Sequence, residues 1–468
     1  MLEKLANVFR VPDLRKRIIF TLAMLAVYRL GGHIPTPGIN ADLLQQFFNQ
    51  NAGSFLGFVD LFSGGQLRRL TIFALGIMPY ITASIILQLL TVVYEPLAKL
   101  QKEGELGRKK ITEWTRYLTL LLSAMQSLGI AYTLQRQTES GGQPFVIHPG
   151  VGFVLMTMLT LTTGSVFIMW LGEQITERGI GNGMSLLIFA GIVVGLPRAV
   201  VDMVGKVRTD AWGSFTAPAI LLLCVLMVAV VAFIVWVERS ERRIPVQYAK
   251  RVVGRKVMGG GSTHLPLRVN SGGVMPVIFA SSLLTLPQTA GFALRDNRYF
   301  GPVLRALQWG EPLYTLLYAV GIIFFAYFYV SIVFNPNEVA DNMRKWGGFI
   351  PGIRPGKRTS DTINEILTRI TLVGALYLII ISFIPEWMIA GIHLNHLPVW
   401  LGGGLFERLP TWVTNGLNVN FYFGGTSLLI VVGVAMDTVQ QVEAQLIMRH
   451  YEGFTPRSGR IRGRRTWA

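Results

Sequence analysis

The sequence contains long apolar runs without a charged side chain, and these runs constrain the fold more than any other feature. A helix of about 20 residues crosses the hydrocarbon core of a bilayer. Five runs reach that length, at 70–93, 151–171, 218–237, 272–294 and 313–334. Five shorter runs need flanking residues to complete a span, at 18–28, 117–134, 184–196, 370–384 and 421–436. The sequence therefore predicts an all-α integral membrane protein with ten transmembrane helices.

The charge distribution predicts how these spans are oriented. Only 15% of the residues are charged, against roughly 25% in soluble proteins. The 43 Lys and Arg residues outnumber the 26 Asp and Glu residues, and most of them fall in the termini and in alternate loops. Basic residues close to span ends are retained in the cytoplasm. Both termini are therefore predicted to be cytoplasmic.

Several functional classes lose support because the residues and motifs that they require are missing. An ion-coupled transporter keeps ionisable residues within its spans, but the five longest runs contain none. No hydrolase, zinc-protease or nucleotide-binding motif is present, since Gly356-Lys357 is followed by Arg358 rather than Ser or Thr. His393 and His396 lack a third ligand nearby. We therefore expect no catalytic residue, metal or cofactor, and the chain is predicted not to be an enzyme.

A short apolar stretch between spans 1 and 2, residues 54–62, ends in Ser63-Gly64-Gly65. It is too short to span, and backbone that stops partway through a membrane must be shielded by protein or by a watery cavity. The stretch is either an amphipathic helix on the outer surface or a re-entrant plug in the funnel of a pore.

Spans 2, 3 and 7 carry small or mildly polar residues in otherwise apolar sequence. Such residues commonly form hydrogen bonds between packed helices. The alternative is a seam that opens, because contacts this weak separate without breaking a buried ion pair. We call this set the seam: Thr82, Ser84, Gln88, Ser123, Gln126, Ser281, Ser282 and Thr285.

The two largest predicted cytoplasmic loops, 238–271 and 335–365, are rich in basic residues. A basic loop beside a membrane is usually a solvated face or a contact with anionic lipid. The more specific interpretation is a docking surface for a polyanion such as ribosomal RNA, or for an acidic motor protein.

Strings spread over nearly the whole chain resemble the SecY family, the channel subunits of the bacterial Sec translocon. They are FSGG (62–65) with IFALGIMPYI (72–81), GEQITERGIGNG (172–183), STHLPL (262–267), PGIRPG (351–356) and FYFGGTS (421–427). The resemblance implies a clamshell of two five-span halves related by a pseudo-twofold axis, with a re-entrant plug helix. The chain would then divide into a cytoplasmic N-terminus, two halves and a basic cytoplasmic tail, at 1–17, 18–201, 202–442 and 443–468.

The resemblance also implies the parts of a channel. Its pore ring of apolar side chains would be Ile77, Ile81, Met184, Ile188, Ile278 and Ile430. Its plug, residues 54–65, would include Ser54, Phe55, Leu56, Phe58, Val59, Leu61, Phe62, Ser63, Gly64 and Gly65. The seam lies on three of the four spans between which the family's channel opens sideways, and would be its lateral gate.

By the same resemblance, basic residues of the two loops form the contact surface for the SecA motor and the ribosome: Arg242, Arg243, Lys250, Arg251, Arg255, Lys256, Arg344, Lys345, Arg354, Lys357 and Arg358. Further implied partners are the SecE and SecG subunits, signal peptides, nascent chains and the lipid bilayer, including anionic lipids. The implied location is the bacterial cytoplasmic (inner) membrane.

The resulting hypothesis is a passive protein-conducting channel. It translocates unfolded secretory polypeptides and releases transmembrane segments laterally, driven by SecA or the ribosome. The alternative from the residues is a secondary transporter with inverted repeats and broken helices, which the short element at Ser54 would suit.

Overall fold

The computed structural model describes most of the chain. The described residues are 11–50, 60, 63–136, 144–208, 216–248, 251–253, 256–258, 262–291, 303, 306–307, 311–390 and 425–452. Residues 391–424 and 453–468 lie outside them.

Helices dominate the described part of the first 208 residues. They are α1 (Pro12–Gly31), α2 (Ala41–Gln50), α3 (Met78–Val93), α4 (Glu95–Lys102), α5 (Glu105–Arg136), α6 (Val151–Arg178) and α7 (Gly183–Arg208). A bend of 105° separates α3 from α4. Pro79 lies in the first turn of α3, where its missing N–H costs no hydrogen bond.

The remainder mixes helices with short strands. The helices are α8 (Thr216–Arg239), α9 (Met275–Gly291), α10 (Pro312–Val333), α11 (Pro336–Lys345), α12 (Lys357–Ala390) and α13 (Gly425–Glu452). The strands are β1 (Glu241–Tyr248), β2 (Arg251–Val253), β3 (Lys256–Met258), β4 (Ser262–Arg268) and β5 (Gly348–Phe349).

The strands correct the all-α prediction. β1 pairs antiparallel with β4, from Glu241 opposite Arg268 to Gln247 opposite Ser262, and its far end pairs with β5. The sheet order is β4-β1-β5. Ile244 and Val246 are buried in alternation with exposed neighbours, which is the period of a half-buried strand. The sequence predicts a loop for this charged stretch because its basic residues mask the alternation.

The second predicted span also needs correction, because its helix begins at Met78 rather than Leu70. Residues 70–77 form buried turns, in which Leu70 and Gly76 have positive φ angles of 39° and 57°. Their backbone groups bond to protein, as in the bond from the Ile72 amide to the Ile34 carbonyl at 3.0 Å. Such satisfied, irregular backbone is tolerated at membrane depth where protein surrounds it.

The helices pack in two groups that meet through two sets of contacts. α1, α3, α5, α6 and α7 pack together, as do α8, α9, α10, α12 and α13. Across the groups, α9 packs against α3 and α5, while α7 packs against α13 and α8. One apolar cluster joins both groups and includes Ile81, Ile188, Ile278 and Ile430.

The outer surface is apolar in the manner of a membrane protein. On α10, Leu316, Val320 and Phe324 recur every four residues and are 55–62% exposed, so they form a stripe along one face. By length and composition, the described residues contain five helices able to cross a membrane, or six if the bent pair α3 and α4 is one span. Shorter apolar helices occur at Gly183–Pro197 and Met275–Thr285.

Candidate functional site

The six residues predicted for the ring share one apolar cluster in the tertiary structure, although the chain separates them widely. Five isoleucines, Ile77, Ile81, Ile188, Ile278 and Ile430, are 0–6% exposed and belong to one apolar cluster. The sixth residue, Met184, is partly buried and packs against the same cluster. α3 with the residue before it, α7, α9 and α13 therefore contribute apolar side chains to the cluster that joins the two helix groups.

The glycine-rich turn between α6 and α7 fixes the position of the first turns of α7, which carry Met184 and Ile188. Gly181 adopts a φ of +88°, which favours glycine. A Cβ on Gly183 would lie 2.0 Å from the carbonyl oxygen of Gly172, so only glycine allows this approach. The Thr176 hydroxyl accepts a hydrogen bond from the Gly183 amide at 2.9 Å. The end of α6 and the start of α7 are thereby fixed against each other.

Two adjoining cavities of about 370 and 610 Å³ meet at the ring. Both are lined by Asn182, Ser185, Ile188, Met275 and Ile278. Ile81 and Met184 line the smaller cavity, and Ile430 lines the larger. We call the two cavities together the vestibule. Its larger part is bounded by Glu238 and residues 268–273, so the vestibule lies on the side of the basic loops.

In the larger part of the vestibule, polar side chains from different elements bond to one another. The side-chain amide of Asn270 donates to Oε1 of Glu238 at 2.6 Å and to the carbonyl of Gly273 at 3.1 Å. Arg268 donates to Gln440 at 2.5 Å and lies 3.8 Å from Asp437. Burial raises the pKa of Glu238, which follows the apolar run 218–237, and the Asn270 hydrogen bond opposes that rise. We call this set of five side chains the wall.

The smaller part of the vestibule contains a further ion pair that sequence reasoning missed. Nε of Arg116 on α5 donates to Oε1 of Glu173 on α6 at 2.9 Å. The two residues are 57 positions apart, so no local spacing indicated their pairing.

The seam residues belong to helices that pack together, α9 against α3 and α5, and the hydrogen bonds described for them join residues of the same helix. Thr82 donates to Met78, Ser123 to Leu120, Ser281 to Ile278 and Thr285 to Ser281. Gln88 donates to Ser84 one turn earlier at 3.2 Å. The Ser282 hydroxyl is buried and has no hydrogen-bond partner in the part of the chain that the structure describes. The interpretation of these residues as interhelical hydrogen bonders is therefore not supported by the bonds observed.

Most of the predicted plug lies outside the described residues. Of its ten named members only Ser63, Gly64 and Gly65 are described. They sit beside a buried ion pair between Asp60 and Arg68, with Nε of Arg68 2.6 Å from Oδ2 of Asp60. Sequence reasoning passed over Asp60, although an acidic residue inside an apolar stretch and followed by two arginines was a usable signal.

The sheet joins the two basic loops into one surface. Because β1 pairs with β5, the loop at 238–271 and the loop at 335–365 are side by side. Among the predicted contact residues, those with described side chains are all exposed: Arg242, Arg243, Arg344, Lys345, Arg354, Lys357 and Arg358. Arg251 and Lys256 are placed only as backbone in β2 and β3, while Lys250 and Arg255 lie outside the described residues.

Comparison with known proteins identifies the family. The family model SecY matches residues 71–439. Protein translocase subunit SecY of Escherichia coli (strain K12) is 48% identical over 443 residues, which cover 94% of this chain and 93% of that protein. The chain belongs to the SecY family.

Solved structures of the family share the fold. A SecY protein, whose plug domain is described as stabilising the closed state of the translocation channel and maintaining a membrane seal, aligns with a TM-score of 0.62 at 17% identity. The alignment covers 94% of this chain and 95% of that one. The channel of a canine ribosome–channel complex from the endoplasmic reticulum aligns with a TM-score of 0.56 at 15% identity over 94% and 95% of the two chains.

These matches confirm the prediction of a protein-conducting translocation channel. They also confirm a mostly helical membrane protein of the SecY architecture. The secondary-transporter alternative finds no support among them.

Proposed function

We propose that this chain is the passive pore of a protein translocase in the bacterial cytoplasmic membrane, with both termini in the cytoplasm. Ten spans form two halves, 18–201 and 202–442, that open like a clamshell. A polypeptide enters through the vestibule and passes the ring. The observation that carries this proposal is that five of the six predicted ring side chains line the vestibule: Ile81, Met184, Ile188, Ile278 and Ile430.

The ring acts as a seal because its side chains are apolar. A narrow constriction lined by isoleucine and methionine excludes ordered water, and ions do not cross without water. An unfolded polypeptide can displace these side chains whatever its own sequence, since no specific hydrogen bond is required. Met184 adds an adaptable thioether to the branched isoleucines.

The seam is proposed as the lateral gate. It lies where α9 meets α3 and α5, opposite the contact of α7 with α8 and α13. Because its observed hydrogen bonds stay within single helices, opening it breaks none of them. The apolar area exposed on opening is covered again by an apolar signal or transmembrane segment. Residues 54–65 serve as the plug of the resting channel.

The basic surface is proposed as the docking site for the ribosome and SecA. Exposed cations from both loops lie on one sheet and its flanking helices, which suits a polyanion or an acidic partner. The solved canine relative is a channel in a ribosome–channel complex, which favours the ribosome. We expect SecE and SecG to bind as further subunits. The chain itself is expected to hydrolyse nothing, so its partners supply the driving force.

Photocrosslinking tests the pore. A probe at Ile188 should label a secretory chain stalled partway through membranes supplied with SecA and ATP. The control probe is Val201 on the same helix, whose side chain is 69% exposed on the outer surface. Label that appears at Ile188 and depends on the stalled chain places the polypeptide at the ring. Equal labelling from Val201, or only lipid adducts at Ile188, would reject the pore assignment.

A further inference from the structure

Asp60 and Arg68 form a closed hydrogen-bonded unit beside the ring. The Asp60 carboxylate accepts from Nε of Arg68 at 2.6 Å and from the Arg68 amide at 3.0 Å. The Asp60 carbonyl accepts from the Ser63 hydroxyl at 2.9 Å and from the Gly65 amide at 2.8 Å. The Ser63 hydroxyl in turn accepts from the Leu67 amide at 3.2 Å. We call Asp60 together with residues 63–68 the latch.

The latch is held by a charge that has no access to water. Asp60 is fully buried, whereas the Arg68 side chain retains 15% exposure. A buried carboxylate is tolerated when it is paired and hydrogen-bonded, and is strongly unfavourable when its partner is removed. The pair is therefore asymmetric: loss of Arg68 strands a buried charge, while loss of Asp60 leaves a cation that can reach solvent.

The latch lies between the two ring-bearing helices of the first group. Ser63 packs on Gly76, the residue before Ile77, since a Cβ on Gly76 would lie 3.5 Å from Cα of Ser63. On the other side, a Cβ on Gly64 would lie 2.9 Å from Cα of Gly191 on α7. Gly191 is three residues beyond Ile188 and so lies on the same face of α7.

We propose that Asp60 and Arg68 are positioning residues of the closed channel. Their ion pair keeps the latch between the start of α3 and α7, and thereby fixes Ile77 and Ile188 in the ring. The inference rests on the ring assigned under the proposed function. It adds a pair of residues that hold the ring in place without belonging to the ring.

The test measures potassium efflux from proteoliposomes containing the full chain with its copurifying subunits, in the absence of translocating polypeptide. Arg68→Ala should raise the resting leak about tenfold, because the stranded Asp60 charge drives the latch out of place. Asp60→Asn keeps an oxygen for the Arg68 amide and should leak less than Arg68→Ala. The matched control is Arg69→Ala, on the same turn, which should leave the leak unchanged.

The double variant Asp60→Ala/Arg68→Ala distinguishes the proposed role from a purely structural one, in which each substitution would add to the leak. It should leak less than Arg68→Ala alone, since no buried charge remains without a partner. A lower melting temperature without extra leak, or a double variant at least as leaky as Arg68→Ala alone, would overturn the proposal. Ile188→Gly is measured in parallel. If Ile188→Gly does not leak, the ring itself is wrong; if it leaks while Arg68→Ala does not, only the latch is wrong.

Discussion

The seam and the wall are both built from polar side chains close to the pore, yet their hydrogen bonds differ in whether they join two elements or stay within one. In the wall, Asn270 bonds to Glu238 on α8, and Arg268 bonds to Gln440 on α13. In the seam, Thr82, Ser123 and Thr285 bond to carbonyls of their own helices. Polar composition alone therefore does not show whether two elements are tied together. What matters is whether the partner lies on the same element or on another.

The comparison indicates where the molecule moves. Separating α9 from α3 and α5 leaves the hydrogen bonds of Thr82, Ser123 and Ser281 in place. Displacing Arg268 from α13 and Asn270 from α8 breaks bonds to charged groups. Hydrogen bonds to charged groups contribute about 1.5–3 kcal/mol each. We therefore expect the seam to open while the wall and the glycine-rich turn beside it stay fixed. Five predictions test this distinction.

The largest effect is expected at the glycine-rich turn. In Gly183→Ala the new Cβ would lie 2.0 Å from the Gly172 carbonyl oxygen, which is part of the backbone and cannot turn aside. Such overpacking should destabilise the fold by about 3 kcal/mol. The folded yield in membranes and the melting temperature should both fall. Gly152→Ala on α6 is the matched control, because no atom lies within 4 Å of its Cβ position. If the folded yield and the melting temperature of Gly183→Ala do not change, the turn is not fixed.

A smaller loss is expected from Asn270→Ala in the wall. It removes the donor to Glu238 and should cost about 2 kcal/mol of unfolding free energy. Ser271→Ala, which removes only a bond to a backbone carbonyl, should change the stability little. If both variants lose the same stability, the wall is no more tightly held than an exposed turn.

The Asn270→Ala loss should also depend on pH. Burial raises the pKa of folded Glu238 above 4.5, so the fold favours its protonated form. The stability linked to Glu238 is present below that value and is lost as the pH rises through the folded pKa. Asn270→Ala removes a group that opposes the rise, so its cost should grow over the same pH interval. Asp437 and Arg268 act on Glu238 in opposite directions and are kept unchanged. A cost independent of pH would separate Asn270 from the Glu238 charge.

The basic surface beside the wall should show a binding effect without loss of stability. Arg354→Glu should weaken ribosome binding at low salt and reduce its salt dependence, because one exposed cation is replaced by an anion. The matched control is Lys109→Glu, an exposed cation at the start of α5 outside the sheet. Equal losses from the two variants would indicate a general charge effect rather than a docking surface on the sheet.

The smallest effect is expected in the seam. Ser282→Ala removes a buried hydroxyl that lacks a partner among the described residues, and should stabilise the closed state by about 1 kcal/mol or less. The melting temperature in lipid nanodiscs should stay level or rise slightly. A clear fall would reveal a cross-seam hydrogen bond and would remove the difference between the seam and the wall.

The sequence was most informative where one residue type repeats and least where distant residues meet. Apolar runs indicated the helices of the membrane domain, although the turns at 70–77 were missed because their residues are as apolar as the helix that follows. The sheet was missed because arginines interrupt β1. No pattern within the chain singled out Ile188 or Ile430 from other packed isoleucines, and only the resemblance to a family selected them.

The sequence by itself determined the membrane class, the helical content and the family, because apolar length and local motifs are properties of contiguous residues. Only the tertiary structure decided that the ring side chains share one cluster, that two basic loops share one sheet, and that Asp60 pairs with Arg68. It also decided that the hydroxyls of Thr82, Ser123 and Ser281 bond to carbonyls of their own helices. These facts depend on which surfaces meet after folding, and the energy of a buried polar group is set by its neighbours in space rather than in sequence.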